Sequence, residues 1–134
     1  MTTILDSSAA VEISLNRKQA SFFSDILSKA DWVIAPDLFI FEVSNVFWKY
    51  HQFENLPLEI CESTLDSTIS LIDDFIDSNS LYKEAFSFAC LTQHSVYDMM
   101  YLVLSRRENG ILITVDQKLI RLANKYSIKT IENS

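Results

Sequence analysis

The sequence predicts a three-layer α/β/α domain on a short, mostly parallel central sheet of four or five strands. Three observations predict it. Short apolar runs of strand length alternate with stretches of helical periodicity. The 134 residues, 49% hydrophobic, suit one domain, 1–134, with one real core. No repeat, low-complexity tract or Gly/Ser linker divides the chain.

The elements follow in order. Thr3–Leu5 (TIL) reads as a short buried strand that stops at Asp6, and Ser7 and Ser8 open a helical stretch toward Leu15. Arg17–Ala30 carries Phe22, Phe23, Ile26 and Leu27 at helical spacing. Trp32–Ala35 (WVIA) is a second strand, ended by Pro36. Asp37–Phe53 is a long, mostly apolar helix and Leu58–Asp73 an acidic amphipathic one. Both prolines, Pro36 and Pro57, stand where helices can begin. Asp74–Ile76 is a weak strand signal. Leu81–Leu91 and Val96–Glu108 read as helices, and Asn109-Gly110 is a stop signal. Ile111–Val115 (ILITV) is a strong strand, Asp116–Lys125 a helix and Lys129–Ile131 a closing strand. In a doubly wound sheet the site lies outside the carboxyl ends of the strands, and Asp6 and Asp116 each occupy such an end.

Composition excludes several classes. A single glycine, Gly110, leaves no way to write a P-loop or a GxGxxG fingerprint. Two isolated cysteines, Cys61 and Cys90, make neither a disulfide framework nor, with His51 and His94, a zinc spacing. The longest run without a charge, Ala85–Tyr97, is thirteen residues, against roughly 20 for a membrane span. The N-terminal stretch lacks the features of a secretory signal, so the expectation is a soluble cytoplasmic protein with no membrane partner. Formal net charge is −7, but its distribution matters more than its total. The segment Glu54–Glu84 holds eight acids and one base, whereas from Tyr101 onward there are six bases and three acids.

Four acids occupy unusual settings. Asp6 and Asp116 end buried strands; Glu42 interrupts LFIFEVSNVFW and Asp98 interrupts VYDMMYLVL. Each has a structural explanation on its own. Asp6 and Asp116 suit helix N-caps, Asp98 suits a cap just after Ser95, and Glu42 can pair with Lys49 or Asn45 one turn on. Taken together they mean more. If the strands are neighbours the four converge, and four carboxylates stay ionised together only with cations. Oxygen donors without Cys or His suit Mg²⁺ or Mn²⁺.

These residues carry a resemblance. ILDSS at Ile4–Ser8, PDLFIFEVSNVFWK at Pro36–Lys49 and SVYDMMYLVLSRRENGILITVD at Ser95–Asp116 are similar, in order and spacing, to the motifs of the PIN-domain ribonucleases. Within that family the chain most resembles the VapC-like toxins of toxin–antitoxin pairs. Met99, where the family more often has a small residue, and the weak strand near Asp74 depart from the pattern. The resemblance implies a PIN-like fold and a metal-dependent endoribonuclease acting on single-stranded RNA with Mg²⁺ or Mn²⁺. It makes Asp6, Glu42, Asp98 and Asp116 the catalytic and metal-holding quartet, supported by Thr114, Ser7 and Asn45. It further implies a cognate antitoxin and a homodimer.

Two basic groups are candidates to hold RNA. Lys118, Arg121 and Lys125 form one stripe of the last helix, and Arg106 and Arg107 are adjacent near the end of the helix before it. The rival assignments are a catalytically inactive PIN module that binds RNA or protein, and a Mg-binding phosphoacceptor receiver domain. A receiver wants adjacent acids after the first strand and a lysine after the last long one; the chain has DSS and ILITVD there.

Overall fold

Apolar β-branched runs too short for helices form the centre of the molecule. The computed structural model describes residues 1–131, so 132–134 of the expected domain lie outside the described residues. Five strands are laid down: β1 (Thr2–Leu5), β2 (Trp32–Pro36), β3 (Asp74–Ile76), β4 (Ile111–Ile113) and β5 (Lys129–Thr130). All pair in parallel, in the order β3-β2-β1-β4-β5, so the mostly parallel sheet expected is wholly parallel among the described residues. β1 is central, and Ile4, Leu5, Ile34, Leu112 and Ile113 are completely buried, as strands covered on both faces require.

Seven helices complete the described chain: α1 (Ser7–Ser14), α2 (Ala20–Ser28), α3 (Leu38–Glu54), α4 (Leu58–Ile69), α5 (Tyr82–Thr92), α6 (Val96–Arg107) and α7 (Gln117–Lys125). A 3-10 turn spans Ser78–Ser80. Right-handed crossovers put α1–α4 on one face of the sheet and α5–α7 on the other. The packing agrees: α1 lies against α2, α3 and α4, while α6 lies against β1, β2, β4 and α5. None of these helices is long and apolar enough to cross a membrane.

Three expected elements are shorter in the fold by two residues or more, and the closing strand, α6 and α7 by one residue each. The helix expected over Arg17–Ala30 starts only at Ala20, because Asn16 is left-handed (φ 51) and Glu12 Oε2 captures the Gln19 backbone N–H at 3.1 Å. The helix expected to reach Asp73 ends at Ile69. The sheet takes Asp73: its N–H donates to Val33 O at 2.8 Å, and its carboxylate accepts from Val33 N at 2.8 Å. β4 stops at Ile113 because Val115 N donates to Ser8 Oγ and Asp116 N to Thr114 Oγ1, rather than to a neighbouring strand. Pro36 belongs to the end of β2, with α3 opening two residues later; Pro57 does precede α4. The weak signal at Asp74–Ile76 is a real edge strand, paired with β2 from Ile34 to Pro36.

Gly110 allows β4 to enter beside β1. A Cβ there would run into Ile4 Cδ1 and stand 2.9 Å from Thr2 O. The residue is fixed by a close approach to the central strand rather than by backbone conformation.

Candidate active site

Strand order locates the site. From β1 the chain steps outward through β2 to β3, then returns to place β4 on the other side of β1. The order therefore reverses between β1 and β4, which is where open α/β sheets bind ligands, beyond the carboxyl ends. Asp6 directly follows β1, and Asp116 follows β4 after Thr114 and Val115. Glu42 is one turn into α3 and Asp98 lies in the first turn of α6.

Asp6 is 6% exposed and its carboxylate is fully engaged. Oδ1 accepts from the Ala9 backbone N–H at 2.9 Å, capping α1, and from Ser8 Oγ at 2.7 Å. Oδ2 accepts from Thr114 Oγ1. Burial nevertheless raises its pKa from 3.8 to about 6, against those three hydrogen bonds, and Asp98 adds a smaller push in the same direction. Asp116 also caps: Oδ1 accepts from Lys118 N at 2.9 Å and Leu119 N at 3.4 Å. Its Oδ2 takes no hydrogen bond among the described residues. Thus both strand-end acids do serve as caps, and Asp116 caps with one oxygen while keeping the other.

Glu42 neither pairs with Lys49 nor hydrogen-bonds Asn45 among the described residues; Tyr101 on α6 donates its hydroxyl to Oε1 at 2.7 Å. Burial raises the Glu42 pKa first, and Asp6 and Asp98 raise it further, while Tyr101 and Ser7 lower it. The Ser7 hydroxyl stands near Glu42 and Tyr101 without closing a hydrogen bond of ordinary geometry. Asp98 is half-buried; burial and then Asp116 raise its pKa, and Ser95 and His94 lower it. Ser95 is the N-cap of α6 and accepts from Asp98 N at 3.2 Å, so the serine, not Asp98, makes the cap.

Three of the acids thus act electrostatically on another: Asp98 on Asp6 and Glu42, Asp6 on Glu42, and Asp116 on Asp98. That is mutual like-charge strain in a partly desolvated rim. Among the described residues no three His, Cys, Asp or Glu side chains already stand close enough to hold an ion by themselves. The donor chemistry still fits a hard cation, since Mg²⁺ commonly takes one or two carboxylates and keeps several waters. Asp116 with its spare oxygen and Asp98 are the most available donors, with Asp6 and Glu42 behind them.

The expected supporting residues divide. Thr114 links two acids, donating to Asp6 and accepting from Asp116 N at 3.1 Å. Asn45 is exposed and makes no side-chain hydrogen bond among the described residues. Ser8 and Tyr101 were not anticipated. Ser8 joins α1 to β4 by donating to Asp6 and accepting from Val115 N at 3.2 Å; nothing in DSS distinguishes it from Ser7. Tyr101 reads as one more apolar-face aromatic until α3 packs beside it. Of the basic candidates, Arg106 and Arg107 are held by Glu84 at 2.6 and 3.2 Å. Lys118, Arg121 and Lys125 make no ion pair among the described residues.

Comparison with known proteins agrees with this fold. The family model described as PIN domain matches residues 3–125. The crystal structure of PAE2754 from Pyrobaculum aerophilum superposes with a TM-score of 0.73 at 18% identity, covering 90% of this chain and 86% of that one. The crystal structure of VapBC2 from Rickettsia felis, bound to a DNA fragment from their promoter, gives a TM-score of 0.68 at 17% identity, covering 100% of both chains. At such identities these likenesses speak for the fold. Comparison with curated proteins finds no match.

Proposed function

The chain belongs to the PIN domain family, and from that premise we propose that it is a metal-dependent endoribonuclease cutting single-stranded RNA, the toxin of a toxin–antitoxin pair. PIN domains are generally nucleases and typically use divalent metal ions. The observation that carries the finer reading is the approach of Asp6, Glu42, Asp98 and Asp116, from four separate elements, at the switch point of the sheet.

When bound, Mg²⁺ or Mn²⁺ supplies positive charge against the phosphodiester and lowers the pKa of a water. Asp98 and Asp116 offer oxygens at the open side of the cluster. Asp6 is oriented from three directions, by Ala9 N, Ser8 and Thr114, which fixes its carboxylate before any ligand arrives. Glu42, held through Oε1 by Tyr101, keeps Oε2 to orient the attacking water and accept its proton. The expected products are a 5′-phosphate and a 3′-hydroxyl. A mechanism of paired histidines finds no support: His51 Nδ1 is engaged by Leu56 O at 2.8 Å and His94 Nδ1 by Thr92 O at 3.1 Å, each in its own loop or helix.

The likeness to VapBC2 supports a cognate antitoxin as partner; a homodimer, and 1–134 acting as one domain in the cytoplasm, are further parts of the same proposal. The test is an in vitro cleavage assay on several single-stranded RNAs with mapped ends, in Mn²⁺ and in EDTA, beside Asp116→Asn. Cutting that needs Mn²⁺ and disappears in the variant is the expected result. Cutting undiminished in EDTA overturns the metal mechanism, and RNA binding without any cutting identifies an inactive module.

A further inference from the structure

The molecule carries −7 overall, yet one groove in it is lined by cations alone among charged groups. The groove, about 330 Å³, lies between α7 and the turn joining α5 to α6, and its walls are His94, Lys118, Arg121, Leu122 and Lys125. That size is at the lower end of the range for ligand pockets, roughly 300–1,000 Å³. None of the three cations has an acid partner among the described residues; Lys125 leans over the Tyr126 ring at 5.8 Å. Such a concentration of like charge is unfavourable alone and invites an anion.

Its placement gives the anion a direction. Asp116 caps the start of α7, so the helix leaves the acid cluster at that end. Lys118 to Lys125 then extends along the axis for roughly 10 Å, at about 1.5 Å per residue. That is length enough for a basic groove to track more than one consecutive phosphate of a single strand. His94 joins the two regions: it lines the groove, and its charge lowers the pKa of Asp98. Since the Thr92 carbonyl can only accept, His94 Nδ1 carries the proton in that bond, and Nε2 is left unengaged among the described residues.

We infer that this groove is a flanking subsite for the phosphate backbone of single-stranded RNA, gripping the strand on one side of the scissile bond while the acids act on the bond itself. The inference rests on the nuclease reading and deepens it. An acidic protein segment is the less favoured occupant. Protein docking draws on exposed apolar anchors, whereas the one apolar side chain lining the groove, Leu122, is 8% exposed and the rest of its lining is basic or His94.

The test uses the full chain. Binding of a fluorescent single-stranded RNA is followed by anisotropy in EDTA across a salt series. The groove variants are Arg121→Glu/Lys125→Glu and the milder Arg121→Gln/Lys125→Gln, each checked by melting. The control Lys18→Gln/Lys29→Gln removes the same charge elsewhere as the milder Gln pair does in the groove. The groove variants are expected to weaken binding by about tenfold or more and to flatten the log–log salt slope by about 1.4, some 0.7 per lost contact on single strands. In Mn²⁺ they raise KM for cleavage while kcat stays within about twofold, as loss of uniform binding requires. Unchanged affinity and slope overturn the subsite, as does an equal loss in the control. Competition by polyglutamate as strong as by polyuridylate overturns it in favour of an acidic protein. Cleavage with groove-independent binding defeats the subsite alone. Groove-dependent binding without cleavage defeats the nuclease reading and leaves the groove as an RNA-backbone site without a scissile bond beside it.

Discussion

Replacing Asp6 by Asn in the metal-free protein should change stability with a sign that depends on pH. The side chain is 6% exposed, and its pKa rises from 3.8 to about 6 chiefly through burial. The favourable bonds from Thr114, Ala9 and Ser8 already oppose that rise, so the value is the net of both effects. A folded pKa above the unfolded one means the group's stabilising contribution is complete below 3.8 and is lost as pH climbs through about 6. A rise of roughly 2 units corresponds to about 3 kcal/mol between the two limits. Asn cannot ionise, and it caps α1 about as well as Asp through its carbonyl oxygen. Relative to the natural chain, Asp6→Asn should therefore gain about 3 kcal/mol as pH rises from about 4 to about 7, roughly 10 °C in Tm for a domain of this size. The assay is thermal unfolding by circular dichroism in EDTA across that window. A difference that stays flat, or moves against the variant as pH rises, would show that Asp6 is not a strained, desolvated anion. The electrostatic argument for a cation site would then fail at its most buried member.

Four further outcomes are expected. Asp98→Asn should abolish Mn²⁺-dependent cleavage while leaving the metal-free melting temperature at pH 7 unchanged or higher, since it removes repulsion with Asp116; a marked fall would assign Asp98 to the scaffold. Mg²⁺ should raise the melting temperature of the natural chain, by about 2.7 kcal/mol of stability at a hundredfold excess over its Kd, and Asp116→Asn should lose most of that response. Tyr101→Phe removes the 2.7 Å hydrogen bond to Glu42 and should lower kcat about tenfold with the fold intact by circular dichroism; full activity would show that Glu42 needs no such tether. Gly110→Ala should destabilise by about 1–3 kcal/mol in denaturant titration because the new Cβ meets Ile4 and the Thr2 carbonyl; an unchanged midpoint would mean β4 can shift.

The sheet was legible because its strands bury both faces. TIL, WVIA and ILITV are runs in which no solvent-facing alternation competes, and all three became neighbouring strands. β3 was the weak signal because an edge strand needs less apolar character, and only Phe75 and Ile76 announce it. Helix ends depart from the periodicity where tertiary partners decide them. Periodicity carries α4 on to Asp73, but a carboxylate and an N–H that both bond Val33 outweigh another turn of local helix. Pro36 shows the same limit. A proline suits the first turn of a helix, and it equally suits a strand's last position, where Ile76 supplies the pairing that ends β2.

In the site, the acids stand out in the sequence itself, whereas of their supports Thr114 is carried only by the resemblance and Ser8 and Tyr101 by nothing, for a physical reason. A carboxylate inside an apolar run is an anomaly of composition and needs no partner to be noticed. A serine, threonine or tyrosine in the same run is ordinary, and its role arises only from what the fold brings within hydrogen-bond reach. Thr114 and Ser8 are 106 residues apart, yet both hydroxyls converge on Asp6 because β1 and β4 are adjacent. The capping roles of Asp6 and Asp116 do not compete with a metal role. Capping consumes the oxygen aimed at the helix N–H groups, and for Asp116 the second oxygen remains. The helix start then fixes the carboxylate's direction, and the sheet fixes where that helix starts. A strand-end Asp that caps is in this way already half positioned as a ligand, which makes the two explanations of these residues one arrangement.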